Sequence, residues 1–345
     1  MLKKGSPEQL NIVSVVGGAG YIGLSIVKKL LDQDYFVRVI DRFMHPSPEI
    51  MRLEEQYANI QIIKTDICDT RAISRALVGS ESVILLASVQ GSRFRDSAGE
   101  HIRDVNFLAS TVVLDAAIEH GVSRFMFAST DSVYGNLTGV IYETTVPEPI
   151  SFYSRLKLRM EQRVLQSKRR TFHPTVFRIG TCYGASPAIR FDLVANRFAM
   201  DSAKKNQITV NGGEQWRALV HVDDVAEGFL ASLRAHDSII SGQVFNLSNG
   251  IENLTINQVA NIFKKINPEL QVDVIEKEPD LVDFRLSTSK IEKLLDFRAK
   301  NTLESSMTLL HRKIVDGEYD DIIQYTLSNE QKRLQNIDDM LLQIG

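Results

Sequence analysis

The chain has 345 residues, more than one ordinary domain needs, and its 43% hydrophobic and 24% charged residues give the balance of a globular protein. A net charge of −3 without a long lysine and arginine block argues against nucleic acid as a partner, and Cys68 and Cys182 sit in no pattern that would hold zinc. Met1–Gln9 is polar, and no apolar run approaches the ~20 residues of a membrane span, so a soluble, cytoplasmic chain is expected.

In chain order, the first half alternates β-branched runs with helical periodicity, which predicts an α/β chain with a Rossmann-like, doubly wound parallel sheet. Asn11–Val16 reads as a strand ending in glycines. A helix over Tyr21–Asp32 follows, with Ile22, Ile26, Leu30 and Leu31 on one face. Further strands are expected at Tyr35–Asp41, Ile60–Lys64, Ser82–Ala87, Arg124–Ser129 and Thr175–Ile179, and helices at Thr70–Leu77, Ile102–His120 and Tyr153–Ser167. After Gly180 the regularity weakens. Helices over Leu193–Lys204 and His221–Leu233 precede Val244–Leu247, which returns to the main sheet. Two or three helices and a strand, Gln271–Glu276, then run to about Leu310. In the final stretch Leu327, Leu334 and Leu341 are seven apart, with Ile337 and Ile344 at helical spacing among seven acidic and two basic residues. This acidic amphipathic helix either docks on its own subunit or makes an oligomer contact.

Between the first strand and helix, Gly17-Gly18-Ala19-Gly20-Tyr21-Ile22-Gly23 satisfies G-x-G-x-x-G. Glycines there permit a tight turn, close approach of the backbone to a pyrophosphate and helix–strand packing, while the helix N-terminus faces the anion. Eighteen residues past Gly23, Asp41 is placed to accept hydrogen bonds from ribose hydroxyls, which favours NAD over NADP; Arg42 beside it is the opposing signal, since arginine pairs with a 2′-phosphate. Asp66 and Ile67, after the third strand, are placed to meet the adenine.

Tyr153 and Lys157 form Y-x-x-x-K at the start of a helix, on one face and one turn apart. An ammonium beside a phenol favours the phenolate and brings a group with an ordinary pKa near ~10 towards use as a base. The preceding strand ends Ala128-Ser129-Thr130-Asp131, where the Thr130 hydroxyl would meet the same substrate oxygen as Tyr153. The inferred chemistry is hydride transfer from a sugar carbon to nicotinamide while Tyr153 removes the hydroxyl proton.

These residues resemble the extended short-chain dehydrogenase/reductase family, of the NAD-dependent nucleotide-sugar epimerase/dehydratase type, from about Asn11 to Leu310. Ala128–Gly135 is similar to the family's S-[ST]-x-x-VYG segment. Leu86-Ala87-Ser88 resembles its strand-four segment along the cofactor, and Asn106 matches an asparagine on the next helix. Phe177–Gly184 is similar to R-x-x-N-x-YG, with Thr181 where asparagine is usual. Trp216–Val225 resembles R-x-[FLY]-[IV]-H-V-x-D-V, and Asp283-Phe284-Arg285 a second diphosphate-binding segment.

The resemblance implies Thr130, Tyr153, Lys157 and Asp131 as catalytic. It implies Gly17, Gly20, Tyr21, Ile22, Gly23, Asp41, Arg42, Asp66, Ile67, Leu86, Ala87, Ser88, Asn106 and Ser129, with Tyr153 and Lys157, around NAD. Gln90, Thr130, Thr181, Arg190, Asn196, Arg217 and Arg285 would face a nucleotide-diphosphate sugar. Ser132 stands where the family's 4,6-dehydratases carry glutamate, which disfavours dehydration. The expected activity is oxidation at sugar C4 and re-reduction, an epimerase. The alternatives are a C4 dehydrogenase or ketoreductase with exchangeable NAD(P), or a non-catalytic NAD-binding protein. Residues 1–180 and 218–250 would form the dinucleotide-binding domain, 181–217 and 251–315 the substrate lobe, and 316–345 the C-terminal helix. Relatives pair through the helices at Ile102–His120 and Tyr153–Ser167, so a homodimer is implied. No metal is expected, because the seven histidines show no ligand spacing.

Overall fold

The computed structural model describes residues 11–44, 48–89, 96–276 and 283–328. Strand β1 (Ile12–Val16), helix α1 (Tyr21–Leu31), β2 (Phe36–Asp41), α2 (Pro48–Gln56), β3 (Ile60–Lys64), α3 (Thr70–Leu77) and β4 (Ser82–Leu85) follow one another as βα units. Next come α4 (Asp96–Arg103), a π-helical stretch (Asp104–Ala109), α5 (Ser110–Glu119), β5 (Arg124–Thr130) and a 3-10 turn (Asp131–Tyr134). β6 (Thr138–Ile141), α6 (Phe152–Gln166) and β7 (His173–Ile179) complete the first half.

The main sheet has seven strands; a later strand, Gln243–Leu247, lies beside β7, and β5, β4, β1, β2 and β3 follow in order. All its pairings are parallel. Parallel strands are covered on both faces, and β5 shows how the sequence achieves this. Phe125 and Phe127 point into a core with Val113, Leu114, Met160 and Val164. Met126 and Ala128 join the opposite core with Val27, Leu30 and Phe229. Burying each such phenylalanine stabilises the fold by about 2–3 kcal/mol.

The second half inserts short sheets between helices. β8 (Thr181–Tyr183), α7 (Val194–Lys205), β9 (Gln207–Asn211), β10 (Trp216–His221), α8 (Val222–Arg234), α9 (Asp237–Ile240) and β11 (Gln243–Leu247) come first. β12 (Asn253–Thr255), α10 (Ile256–Ile266), β13 (Gln271–Ile275), β14 (Asp283–Leu286), α11 (Ser289–Leu295) and α12 (Leu303–Val315) follow. β10 lies between β8 and β12, β13 pairs with β9, and β14 pairs with β6. α10 starts on a reciprocal cap between Thr255 and Gln258.

The structure corrects one expected element. The helix read over Ile102–His120 is broken by the π-helical Asp104–Ala109, where the Ser110 hydroxyl donates to the Val105 carbonyl at 3.0 Å. A π turn inserts a residue without changing apolar composition, so periodicity does not reveal it. Residues 320–328 are helical, with Tyr319 and Ile323 buried against the core; Leu334, Ile337, Leu341 and Ile344 lie outside the described residues.

Candidate active site

The glycine turn leaves no room for side chains. Gly17 has φ +89°, and a Cβ there would lie 2.6 Å from the Ala87 nitrogen. A Cβ on Gly23 would lie 2.3 Å from the Gly17 carbonyl oxygen and 2.7 Å from the Gly18 Cα. Leu86 and Ala87 donate to the Val16 carbonyl at 2.8 and 2.9 Å, which brings the segment after β4 against the turn. No side chain caps α1 at Gly20, so its first-turn N–H groups remain available to an anion. At the end of β2, Asp41 accepts from the Ala19 N–H at 3.0 Å and the Phe43 N–H at 2.8 Å. A carboxylate fixed beside a side-chain-free turn fits the adenosine half of a dinucleotide.

Arg42 reaches away from Asp41 and pairs with Asp66 at 3.2 Å. The Cys68 N–H foremost, and Arg42 with it, hold the Asp66 carboxyl below its usual range. Ile67 is buried. Tyr21 and Ile22 open α1; the Tyr21 hydroxyl turns towards the second half and donates to the Gly184 carbonyl at 2.8 Å. Asn106 is buried and fastens the segment after β4: its Oδ1 accepts from the Val89 N–H at 2.7 Å and the Ser88 hydroxyl at 3.1 Å, while its Nδ2 donates to the Val89 carbonyl at 2.7 Å. The π turn holds this asparagine.

Thr130 ends β5, a central strand, and its Oγ1 accepts from the Ser132 N–H at 3.2 Å and lies 2.8 Å from the Ser132 hydroxyl. Tyr153 sits in the first turn of α6, whose N-cap is Ser151, accepting from the Ser154 N–H at 3.0 Å. One turn on, Lys157 is 3% exposed, donates to the Ala128 carbonyl at 2.6 Å and lies 4.4 Å from the centre of the Phe127 ring. Burial pulls its pKa down to about 7, against the opposing pull of Glu161. Asp131 is buried and pushed up to about 6 by that burial, with Arg217 opposing. Burial moves both groups towards neutrality, the range that suits proton transfer.

The remaining expected residues divide. Arg217, buried on β10, donates to the Trp216 carbonyl at 2.7 Å, and Arg285 on β14 lies 4.9 Å from the centre of the Trp216 ring, so both meet at that tryptophan. Arg190 donates to Asp192 at 3.0 Å. Burial would lower its pKa, but Asp192 foremost, then Tyr153 and Cys182, raise it. Thr181 is half-buried on β8. Asn196 is fully buried, and its amide is occupied: Oδ1 accepts from the Gly184 N–H at 3.0 Å, and Nδ2 donates to Tyr21 and the Arg190 carbonyl at 3.2 and 3.0 Å. It ties Tyr21 on α1 to the Gly184 and Arg190 backbone. The Ser129 hydroxyl is likewise turned inward, donating to Glu161. Gln90 lies outside the described residues.

Two participants went unassigned in the sequence. Glu161, one turn beyond Lys157, is 1% exposed, and Arg178 on β7 donates to it through Nε and Nη2. The next i+4 step after Lys157 reaches Glu161, but its burial, which spacing does not record, is what sets it apart. No group of three potential metal ligands exists among the described residues, and none of their helices is long and apolar enough to cross a membrane.

The profile of the NAD dependent epimerase/dehydratase family matches residues 13–248. A Bacillus subtilis (strain 168) protein described as an uncharacterized UDP-glucose epimerase, YtcB, is 29% identical over 311 residues, 86% of this chain and 95% of its own. The UDP-glucose 4-epimerase of Thermotoga maritima, solved with UDP-glucose, superposes with a TM-score of 0.76 at 26% identity, covering 89% of this chain and 99% of that one. The UDP-glucuronic acid 4-epimerase of Bacillus cereus, solved with NAD, gives 0.77 at 25%, covering 88% and 98%.

Proposed function

The chain belongs to the NAD dependent epimerase/dehydratase family, and from that premise we propose that it is an NAD-dependent 4-epimerase of a UDP-linked sugar. The observation that carries this reading is Tyr153 one turn before the buried Lys157 on α6, a helix packed against β5 and the Asp131–Tyr134 turn, where the Thr130 and Ser132 hydroxyls meet. The sugar nucleotides named in its relatives are UDP-linked, which supports the choice of nucleotide.

The residues around Gly17, Gly20, Gly23 and Asp41 fit NAD and would hold it. When bound, it takes up and returns the hydrogen and electron pair of the sugar carbon. Tyr153 accepts the proton of the sugar 4-hydroxyl and returns it after the keto sugar has turned. The Lys157 ammonium stabilises the phenolate that takes up this proton and that re-forms when the proton is returned. Thr130 hydrogen-bonds the same oxygen and orients it, with Ser132 holding its hydroxyl. Arg217 and Arg285 bind the diphosphate, and Arg190 faces the sugar side. Arg42, tied to Asp66, leaves Asp41 facing the ribose, which supports NAD over NADP. The helices at Ile102–His120 and Tyr153–Ser167 form a homodimer; Leu108 and Phe152, exposed there, support this reading, and light scattering that finds only a ~39 kDa species would reject it.

The test is to incubate the purified protein with UDP-glucose, UDP-N-acetylglucosamine and UDP-glucuronic acid, and to identify 4-epimers by NMR. A 4-epimer formed without added NAD, with NAD released on denaturation, supports the epimerase. A keto sugar accumulating in proportion to added NAD would replace it with a dehydrogenase.

A further inference from the structure

Lys157 of the proton-transfer pair sits in a buried charge cluster whose other members, Glu161 and Arg178, have no part in the steps above. Lys157, Glu161 and Arg178 are 3%, 1% and 5% exposed. Glu161 is anchored on β5 and β7 at once. The Ser129 hydroxyl donates to its Oε1, and Arg178 donates through Nε at 3.2 and 3.1 Å and through Nη2 at 2.8 Å. Arg178 is held from its other side by the Tyr134 ring, 4.8 Å from Cζ, and the Tyr134 hydroxyl donates to Asn246 at 2.7 Å. Lys157 is tied to Ala128, the residue just before Ser129. The strand therefore fixes the ammonium and the carboxylate on consecutive residues, one helical turn apart on α6.

Burying an ammonium far from water is expensive unless an anion accompanies it. Around Lys157 the neighbours from β5 are neutral, the Phe127 ring and the Ala128 carbonyl. From its own helix it faces Tyr153 and Glu161, and from β7 comes Arg178, which reaches it only through Glu161. Asp131, after β5, is coupled to Arg217 instead. We propose that Glu161 is a positioning residue for Lys157: it is the anion that keeps this buried ammonium charged beneath Tyr153. Arg178 and Ser129 hold the carboxylate in place for that purpose. Burial drives the Lys157 pKa down to about 7, and among the described residues Glu161 is the charged group that opposes the fall.

This inference rests on reading Tyr153 and Lys157 as the proton-transfer pair, but its test needs no substrate. The full chain, loaded with NAD and labelled with 13C at lysine Cε, is titrated by NMR; the Lys157 signal is the one missing in Lys157→Met. In Glu161→Gln the midpoint is expected to fall by about one pH unit, tenfold in the ratio of ammonium to amine. Glu161→Asp, which keeps the charge, should leave it within about a third of a unit, roughly a twofold change in that ratio. A Glu161→Gln protein that melts cooperatively with the Lys157 midpoint unmoved overturns the inference. Should Arg178, stripped of its partner, prevent folding, Glu161→Gln with Arg178→Met removes both charges at similar volume and is read in the same way: a lowered midpoint supports the role, an unmoved one rejects it. A lowered midpoint in a protein that turns over no UDP-sugar would reject the proposed function and leave the role of Glu161 standing.

Discussion

The turn after β1 and the cluster under α6 solve opposite problems with opposite means. At the turn, function comes from what is absent: without a Cβ at Gly17 the backbone closes on the segment after β4, and without one at Gly23 the helix closes on the turn itself. Under α6, function comes from side chains in a place that disfavours them, where Lys157, Glu161 and Arg178 are buried together. The turn is rigid because an atom added at Gly17 or Gly23 clashes with backbone. The cluster is tunable, because each charge depends on its partners. A site made of backbone is spelled out in glycine spacing, whereas a site made of buried charge depends on depth, which spacing does not record.

The sharpest way to separate the two regions is to disable one and leave the other intact. Tyr153→Phe removes the proton acceptor and keeps the ring; epimer formation is expected to fall by ~10³-fold, with NAD retained and melting unchanged. Activity within threefold of the parent would remove Tyr153 from the chemistry. Gly23→Ala acts on the other region. Its Cβ would meet the Gly17 carbonyl and the Gly18 Cα, neither of which can step aside. The turn would have to open, at about 2–3 kcal/mol of stability, and the NAD recovered with the purified protein should drop. Gly79 also has positive φ, +76°, yet a Cβ there meets nothing within 4 Å, so Gly79→Ala should lose only about 1 kcal/mol and keep NAD. Equal losses in the two alanine variants, measured by denaturant unfolding, would show that crowding at Gly23 is not the cause.

The same contrast explains what the sequence revealed. Val83-Ile84-Leu85 reads as a strand because a parallel strand covered on both faces is a continuous apolar run. β6, β8 and β12 are three or four residues long, and β6 pairs with β14 nearly 150 residues away, so no local period marks them. Tyr153 and Lys157 stood out by i, i+4 spacing on a helix that follows the right strand. Glu161 has the same spacing from Lys157, but a glutamate four residues after a lysine is what an ordinary exposed helix shows, and only burial distinguishes it. Asn196 was expected to face a ligand because its segment resembled a family segment; its amide bonds Gly184, Arg190 and, across 175 residues, Tyr21, a pairing that no spacing foretells.

Asp41 lies between the two extremes, a side chain whose work is to hold backbone. Both oxygens already accept N–H groups, from Ala19 and Phe43, and their remaining lone pairs would meet ribose hydroxyls. Asp41→Ala should weaken NAD about tenfold, the loss of a charged hydrogen bond at roughly 1.5 kcal/mol, and should narrow the preference over NADP. Calorimetric titration reads both; an unchanged NAD affinity would move the ribose contact elsewhere.

Asp131 carries the comparison to its smallest effect, because its burial acts on stability in a direction set by pH. Its carboxyl is raised to about 6 in the fold, against ~3.9 in an unfolded chain. Between those two values the folded protein holds the extra proton, so stability declines as pH rises through this window, and the penalty is complete above about 6. Asp131→Asn has no charge to bury and should therefore be more stable than the parent at pH 8, by about 1 kcal/mol once the loss of attraction to Arg217 is set against the desolvation it relieves. Below about pH 4, where Asp131 is protonated in both states, the advantage should vanish. An advantage that persists unchanged at pH 4 would point to packing instead of charge. A variant less stable at pH 8 would mean that Arg217 depends on Asp131 more than Asp131 resists burial, making the two a pair that stands or falls together, as Glu161 and Arg178 do.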